Sequence, residues 1–437
     1  MWGTATSAYQ VEGAPTADGR GPSVWDTFSD AKKSYTGDNG DVADDEFHLY
    51  REDIGIMREL GVKAYQFSLS WSRIFPVGTG APNPKGWDYY DRVLDALLEA
   101  GIEPFCVLYH WDMPEALMSV GGWQSRDVAK AFADYSGFAA KHLSDRVKNF
   151  MTISEISAFV DEGYRYGSDA PGLKLPNAEV AQVAHNVLLG HGWAVQAVRA
   201  NARQAVKVGI ADNAASVIPI IETPENLAAA RIAYREENAR VLTAIMEGRY
   251  TDLYLQSQGG HAPKFTAEDM KVISTPLDYI GLNIYEPTWI RAVANEIGYE
   301  VLDMPKSYPK MAALWLQLGP AGMYWSPKLL HEIWGVKEIY ITENGAASTD
   351  LVNSSGQVLD VDRVFFLKSY LEQLQRATSE GIPVKGYFLW SLMDNFEWSD
   401  GYAIRFGIVY VDYKTQKRTV KLSGEFYKEL IARNAMV

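Results

Sequence analysis

A closed (β/α)8 barrel is the fold class that this chain predicts, and three observations carry it. Eight short apolar runs alternate with long amphipathic stretches, the signature of repeated βα units on a parallel sheet. The helical stretches end at glycines suited to a left-handed helix terminus, as at Gly61 and Gly101. Charged, amide or aromatic residues then follow nearly every apolar run: Gln10, Arg73, His110-Trp111-Asp112, Glu155, Asn283 with Tyr285, Glu343 and Trp390. An open doubly wound sheet, the runner-up, gathers its ligand at one switch point. Only a barrel brings eight strand ends around one mouth.

In chain order, the first strand is expected at Trp2 to Ala8. Phe47, Tyr50, Ile54 and Met57 share one face of a helix that closes at Gly61 and leads to the second strand, Val62 to Ser68. Tyr90, Val93, Leu94 and Leu97 do the same before Gly101 and the third strand, Pro104 to Tyr109. The remaining strands are expected at Asn149 to Thr152, Lys207 to Ala211, Asp278 to Asn283, Glu338 to Thr342 and Val384 to Trp390. Helices fit Asp127 to Leu143, Ala178 to Asn201, Pro224 to Gly248, Pro327 to Trp334, Val361 to Gly381 and Ser423 to Arg433. Strand and helix keep strict alternation in this reading. The longest connections, Asp212 to Pro276 and Tyr285 to Trp325, read as elaborations above or beside the barrel. A chain of 437 residues exceeds the usual ceiling for one core, but large barrels break that limit, so residues 1–437 are expected to form one catalytic domain.

Composition narrows the function. With 47% apolar and 22% charged residues, and no uninterrupted apolar run of about 18, no membrane span is expected. A net charge of -14 argues against a nucleic-acid surface and against an anionic ligand held by general electrostatics; a neutral ligand fits better. The one cysteine, Cys106, sits in an apolar run, reads as a buried core thiol and leaves a cytoplasmic location as the expectation. Gly78-Thr79-Gly80 is followed by Ala81, Pro82 and Asn83, so the dinucleotide fingerprint fails, and no phosphate-binding loop occurs. His185 and His191 do not share a helix face as a ligand pair should. Neither a metal nor a cofactor is expected.

The chemistry centres on two glutamates. In EIYITENGAA, Glu343 stands where a buried strand opens into a polar, glycine-containing loop. In NFMTISEISAF, Glu155 holds the equivalent place on another strand. On strands four and seven they would face one another across the mouth. Two facing carboxylates suit glycoside hydrolysis, in which one protonates the leaving oxygen and the other attacks the anomeric carbon or activates water.

Five stretches in order then carry a resemblance: WGTATSAYQVEGA with GRGPSVWDTF, FSLSWSRIFP, LYHWDMPEAL, YITENGAA and FLWSLMDNFEWSDGYAIRFGIVYVDY. Over essentially its full length the chain resembles glycoside hydrolase family 1, the β-glucosidase family. The resemblance implies a retaining, exo-acting β-glucosidase for β-glucosides and short cello-oligosaccharides, with galactose or fucose also open as the glycone. It implies Glu343 as nucleophile and Glu155 as acid and then base. Gln10, His110, Trp111, Glu397 and Trp398 resemble the glycone-binding set, Trp390 the floor under the ring, and Phe406 a neighbour of the sugar 6-position. Arg73 and Tyr285 look like the pair that holds the nucleophile, its guanidinium favouring the ionised form. Trp315 is similar to the aglycone platform, although WLQLGPAGMYW departs from the usual pattern around it. Homo-oligomerisation is left open.

One motif departs from the family. The acid motif normally reads Thr-x-Asn-Glu-Pro, and here it reads Thr152-Ile153-Ser154-Glu155-Ile156. Isoleucine in place of proline restores an N–H and suits a strand end. Serine in place of asparagine removes a carboxamide that the resemblance places on the sugar 2-hydroxyl, a contact that strengthens in the transition state. That change keeps a second reading in view, a β-glycoside-binding protein with impaired catalysis. A phosphorylated sugar is disfavoured, because Glu397 would repel the dianion.

Overall fold

A computed structural model of the chain describes residues 1–436. Eight parallel strands close into a barrel: β1 (Trp2–Ala5), β2 (Ala64–Ser68), β3 (Glu103–Tyr109), β4 (Asn149–Ser154), β5 (Lys207–Asp212), β6 (Tyr279–Asn283), β7 (Ile339–Glu343) and β8 (Val384–Trp390). Each neighbours the next, and β8 returns to β1 in the register Trp2 with Tyr387 to Ala5 with Trp390. All eight expected strands are present, with β1 ending three residues early and β4 running two residues further.

Both faces of each strand are buried, which is why the runs read as nearly continuous apolar sequence. Phe105 and Val107 on β3 point into the barrel, where they join Ala5, Ala64, Met151, Tyr279, Tyr340 and Phe388 in a core of their own. Cys106 and Leu108 point the other way, into the larger core beneath the helices. Inside, the ring of Phe105 lies edge-on to Tyr340 and Phe388 at 5.3 and 4.8 Å between centroids. Gly3 makes room for this filling, since a Cβ there would come within 2.5 Å of the Phe388 ring. The barrel is therefore plugged below and open only above.

The outer helices follow the sequence pattern closely, with Glu46–Leu60 ending on left-handed Gly61, then Pro84–Glu99, Arg126–Leu143, Asn177–Asn201, Val361–Ser379 and Leu422–Arg433. Two expectations are corrected. The stretch Pro224 to Gly248 is two helices, Pro224–Glu237 and Leu242–Glu247, because Asn238 turns its side chain to the Tyr234 carbonyl and the Ala215 backbone at the break. The helix expected at Pro327 begins earlier and spans Gly322–Trp334.

Strict alternation also fails. Ser216–Pro219, Pro287–Ala292 and Tyr299–Val301 form a small sheet that joins the two long connections, and Val409–Asp412 pairs with Lys417–Val420 in a hairpin. The small sheet pairs residues some 70 positions apart, so no local periodicity announces it.

The loop after β8 is pinned from below by buried charge. Lys421, wholly buried, donates to Asp394 at 2.5 Å and to Asp350, while Arg405 reaches Asp394 at 2.6 Å and Arg363 bridges Asp350 and Asp360. Removing the central cation leaves two buried carboxylates with one arginine each and takes away the charge that joins them. Lys421→Met is expected to cost about 3–5 kcal/mol in urea unfolding, far more than loss of an exposed lysine.

Candidate active site

The motif around Glu343 ties the end of β7 to both of its neighbours. Thr342 donates its hydroxyl to Asn283 Oδ1 on β6 at 2.7 Å, and Asn344 donates its side-chain amide to the Ile284 carbonyl at 2.7 Å. On the other side Trp390 of β8 donates its backbone N–H to the Asn344 carbonyl at 2.9 Å. Gly345 lies so close to Trp390 that a Cβ would fall 1.6 Å from its carbonyl oxygen. Only glycine permits that approach. Glu343 is thus fixed at the strand end and 4% exposed, with Oε2 accepting from the Tyr285 hydroxyl at 3.1 Å.

Glu155 follows β4 directly and takes a left-handed conformation, φ 54°, while its N–H donates to the Ala211 carbonyl at 2.8 Å. Because Thr342 occupies Asn283 Oδ1, the Asn283 NH2 group must point elsewhere, and it donates to Glu155 Oε1 at 2.8 Å. One side chain on β6 therefore connects the residue beside Glu343 to Glu155. Both glutamates line a single cavity of about 550 Å³ at the barrel mouth. Trp111 and Trp398, which also line it, share the left-handed conformation with φ of 78° and 47°. Such strain concentrates at sites that work.

No lysine or arginine lines this cavity among the described residues. Burial pushes the Glu155 carboxyl up to about 7, against the opposing pull of the Asn283 hydrogen bond. Burial, and then the charges of Glu155 and Glu397, push Glu343 well above the usual carboxylate range, with Tyr285 opposing. Burial and then Asp400 raise Glu397 to about 8. Like charges this close cannot all ionise, so the carboxylates hold protons into the neutral range. Burial lowers His110 to about 3, which leaves a neutral imidazole whose Nδ1 has no partner.

Most of the expected site residues meet here. His110, Trp111, Tyr285, Trp315, Trp390, Glu397, Trp398 and Phe406 line the cavity with the two glutamates. Trp111 and Trp398 stack at 4.6 Å, and Trp315, 42% exposed at the rim, lies over Phe406 at 6.3 Å. Gln10 stands just behind. Its NH2 group donates to the Phe396 carbonyl, to Asn395 and, at 3.4 Å, to Glu397, and Ser7 fixes its orientation through Oε1.

Arg73 is a correction. It follows β2, next to the loop after β1, and there it pairs with buried Glu12 at 2.9 Å and donates to the Gly13 carbonyl rather than to Glu343. A buried Glu12 needs that cation, and Glu343 is served by neutral donors, Tyr285 at 3.1 Å first among them. Ser154 is a partial correction: it lies under the cavity, not on its wall, with its carbonyl accepting from Trp111 Nε1 at 3.0 Å and its hydroxyl unpartnered. Asn283 is the residue that sequence reasoning undervalued, although its position at a strand end was the same signal that singled out Glu343. Tyr35, Asn213 and Glu286, on the cavity wall, stood in loops without any such mark, and Asp400 lay unremarked within the last family stretch.

The family model described as glycosyl hydrolase family 1 matches residues 1–436. The 1,4-beta-D-glucan glucohydrolase of Thermotoga neapolitana and beta-glucosidase A of Thermotoga maritima are each 43% identical to the chain, over 100% of it and 98% and 97% of their own lengths. A solved structure of a family 1 β-glucosidase from Thermotoga maritima superposes with a TM-score of 0.91 at 42% identity, covering 100% of this chain and 98% of that one. The same fit holds for the Thermotoga maritima beta-glucosidase in complex with glucoimidazole. With Glu155 and Glu343 meeting in one cavity at the mouth of a (β/α)8 barrel and full-length similarity of this degree, the chain belongs to glycosyl hydrolase family 1.

Proposed function

We propose that this family 1 enzyme, a retaining β-glucosidase, uses Glu343 as its nucleophile and Glu155 as acid and then base on terminal β-linked glucose. The observation that carries the assignment is the Thr342–Asn283–Glu155 chain of hydrogen bonds, which aims both glutamates into one cavity. The Tyr285 hydroxyl favours the charge on Glu343 against burial and the charge of Glu155; repulsion between two carboxylates is mutual, so once Glu343 is charged it favours the proton on Glu155. Glu343 attacks the anomeric carbon while Glu155 gives its proton to the leaving oxygen, and the sugar becomes an ester on Glu343. The ester carries no charge, so Glu155 can then take a proton from the water that attacks it and releases glucose.

Glu397, Gln10, His110 and Trp398 surround the glycone in this reading, Trp390 supplies its floor, and Phe406 and Trp315 extend an apolar face toward the aglycone. β-Glucosides and short cello-oligosaccharides are the substrates this cavity suits, and the whole chain acts as one catalytic domain. No described helix is long and apolar enough to cross a membrane. The buried free thiol of Cys106 suits a reducing compartment, and the cytoplasm is the one we assign.

Glu155→Ala separates the two roles. Activated dinitrophenyl β-glucosides need no acid and should still form the glycosyl-enzyme, whereas alkyl β-glucosides should lose about 10²–10⁴-fold in kcat/KM. In the unmodified enzyme kcat/KM should fall as pH rises through about 7, where Glu155 gives up its proton; the alanine variant should lack that limb.

Ser154 tests a different part of the site. Its hydroxyl is buried and unpartnered just under the cavity. Ser154→Asn is expected to raise turnover of an aryl β-glucoside by roughly ten- to a thousandfold, or about 1.4 to 4 kcal/mol. Steady-state kinetics with unchanged kcat and KM would sink that expectation.

A further inference from the structure

At the end of β5 one buried carboxyl group has neither a cation nor a hydrogen bond to account for it. Asp212 is 2% exposed, and its Oδ1 is shut off from solvent without a partner. Its strand lies beside β4, where Ser154 pairs with Ala211 and the Glu155 N–H donates to the Ala211 carbonyl at 2.8 Å. Asp212 and Glu155 therefore stand one residue beyond the same rung on adjacent strands. After burial, the charge of Glu155 is what raises the Asp212 carboxyl, to about 7.

The other groups around Asp212 do not neutralise it. Arg240 opposes the rise, but its guanidinium is committed to Asp161 at 2.7 and 2.8 Å and to the Ser157 carbonyl. Tyr234, on the helix Pro224–Glu237, feels the Asp212 charge and has a buried hydroxyl with no partner of its own. A fold gains no stability from a carboxylate in this setting. Violations of that kind belong at functional sites.

We propose that Asp212 is a positioning residue for the catalytic proton: without a hydrogen-bond partner beside Glu155 and with Oδ1 shut off from solvent, its carboxylate holds the proton on Glu155 until the leaving oxygen takes it. The inference rests on the role proposed for Glu155. Glu155 also faces Glu343 at the end of β7, Glu397 in the loop after β8 and Asn283 at the end of β6. Asp212 differs from these in lying behind the cavity wall, on which only its neighbour Asn213 appears. Sugar does not displace it. Its charge also outlasts that of Glu343, which the ester consumes, so Glu155 remains basic enough to accept a proton from water in the second step.

The test is the pH profile of kcat/KM for 4-nitrophenyl β-glucoside in the full chain and in Asp212→Asn, with Tm at pH 5 and pH 8. The basic limb should move down by at least about half a pH unit, which lowers kcat/KM about threefold or more on the alkaline side relative to the acid side. Asp212→Glu, which keeps the charge, should restore the limb. The Asp212 carboxyl is raised in the folded chain, so its ionisation costs stability as pH rises from the unfolded value through about 7; Tm of the Asn variant should therefore gain more at pH 8 than at pH 5. An unmoved limb overturns the proposal, whatever Tm does, and Asp212→Leu gives the same readout if the Asn variant does not fold. Glu155→Gln in the same series tests the underlying assignment separately, since it removes the limb altogether if Glu155 is the acid.

Discussion

Two carboxyl groups recessed in the cavity at one barrel mouth, with no cation on its wall among the described residues to neutralise them, are the constraint on which the site depends. Burial raises the cost of charging either one, and the charge of Glu155 raises that of Glu343 further; such repulsion is mutual. The pair therefore keeps a proton near neutrality, as an enzyme needs if it must present an acid and a nucleophile to the same bond. A guanidinium beside Glu343 would relax that coupling by stabilising both charges together. The observed partner is instead a neutral phenol, Tyr285, which favours one charge without removing the repulsion.

Holding such a pair in place falls to the backbone and to neutral hydrogen bonds. Thr342, Asn344 and Gly345 each spend their side chain, or the lack of one, on fastening β7 to β6 or β8. Asn283 carries that order across to Glu155. On the far side, Lys421 and Arg405 anchor Asp394 and with it the loop that brings Glu397 and Trp398 over the cavity. Formal charge is thus paired beneath the site and left unpaired within it. Stability is supplied below the barrel mouth and given up at the mouth, where chemistry uses the imbalance.

Much of this was legible in the sequence, for a physical reason. Barrel strands are buried on both faces and end in functional residues, so Glu155, Glu343, His110 and Trp390 stood out at the ends of apolar runs. Partners set by packing across the fold were not legible. Arg73 carries a family motif, yet whether its guanidinium reaches Glu343 or Glu12 depends on where the loops after β1 and β2 meet. The small sheet of Ser216–Pro219, Pro287–Ala292 and Tyr299–Val301 has no local period to reveal it, because its strands find each other across long connections. Asp212 was read only as the start of a connection, and its unpaired burial beside Glu155 emerges from strand register alone.

The central claim is that Glu343, and no other carboxylate in this cavity, carries the sugar through the reaction. Incubation with a 2-fluoro β-glucoside bearing a good leaving group, followed by proteolysis and peptide mass mapping, addresses it directly. The account predicts one added fluoroglucosyl group on the peptide containing Ile339 to Gly345, at Glu343. A label on Glu155 or Glu397, or turnover of the reagent with no covalent adduct at any time, would contradict it.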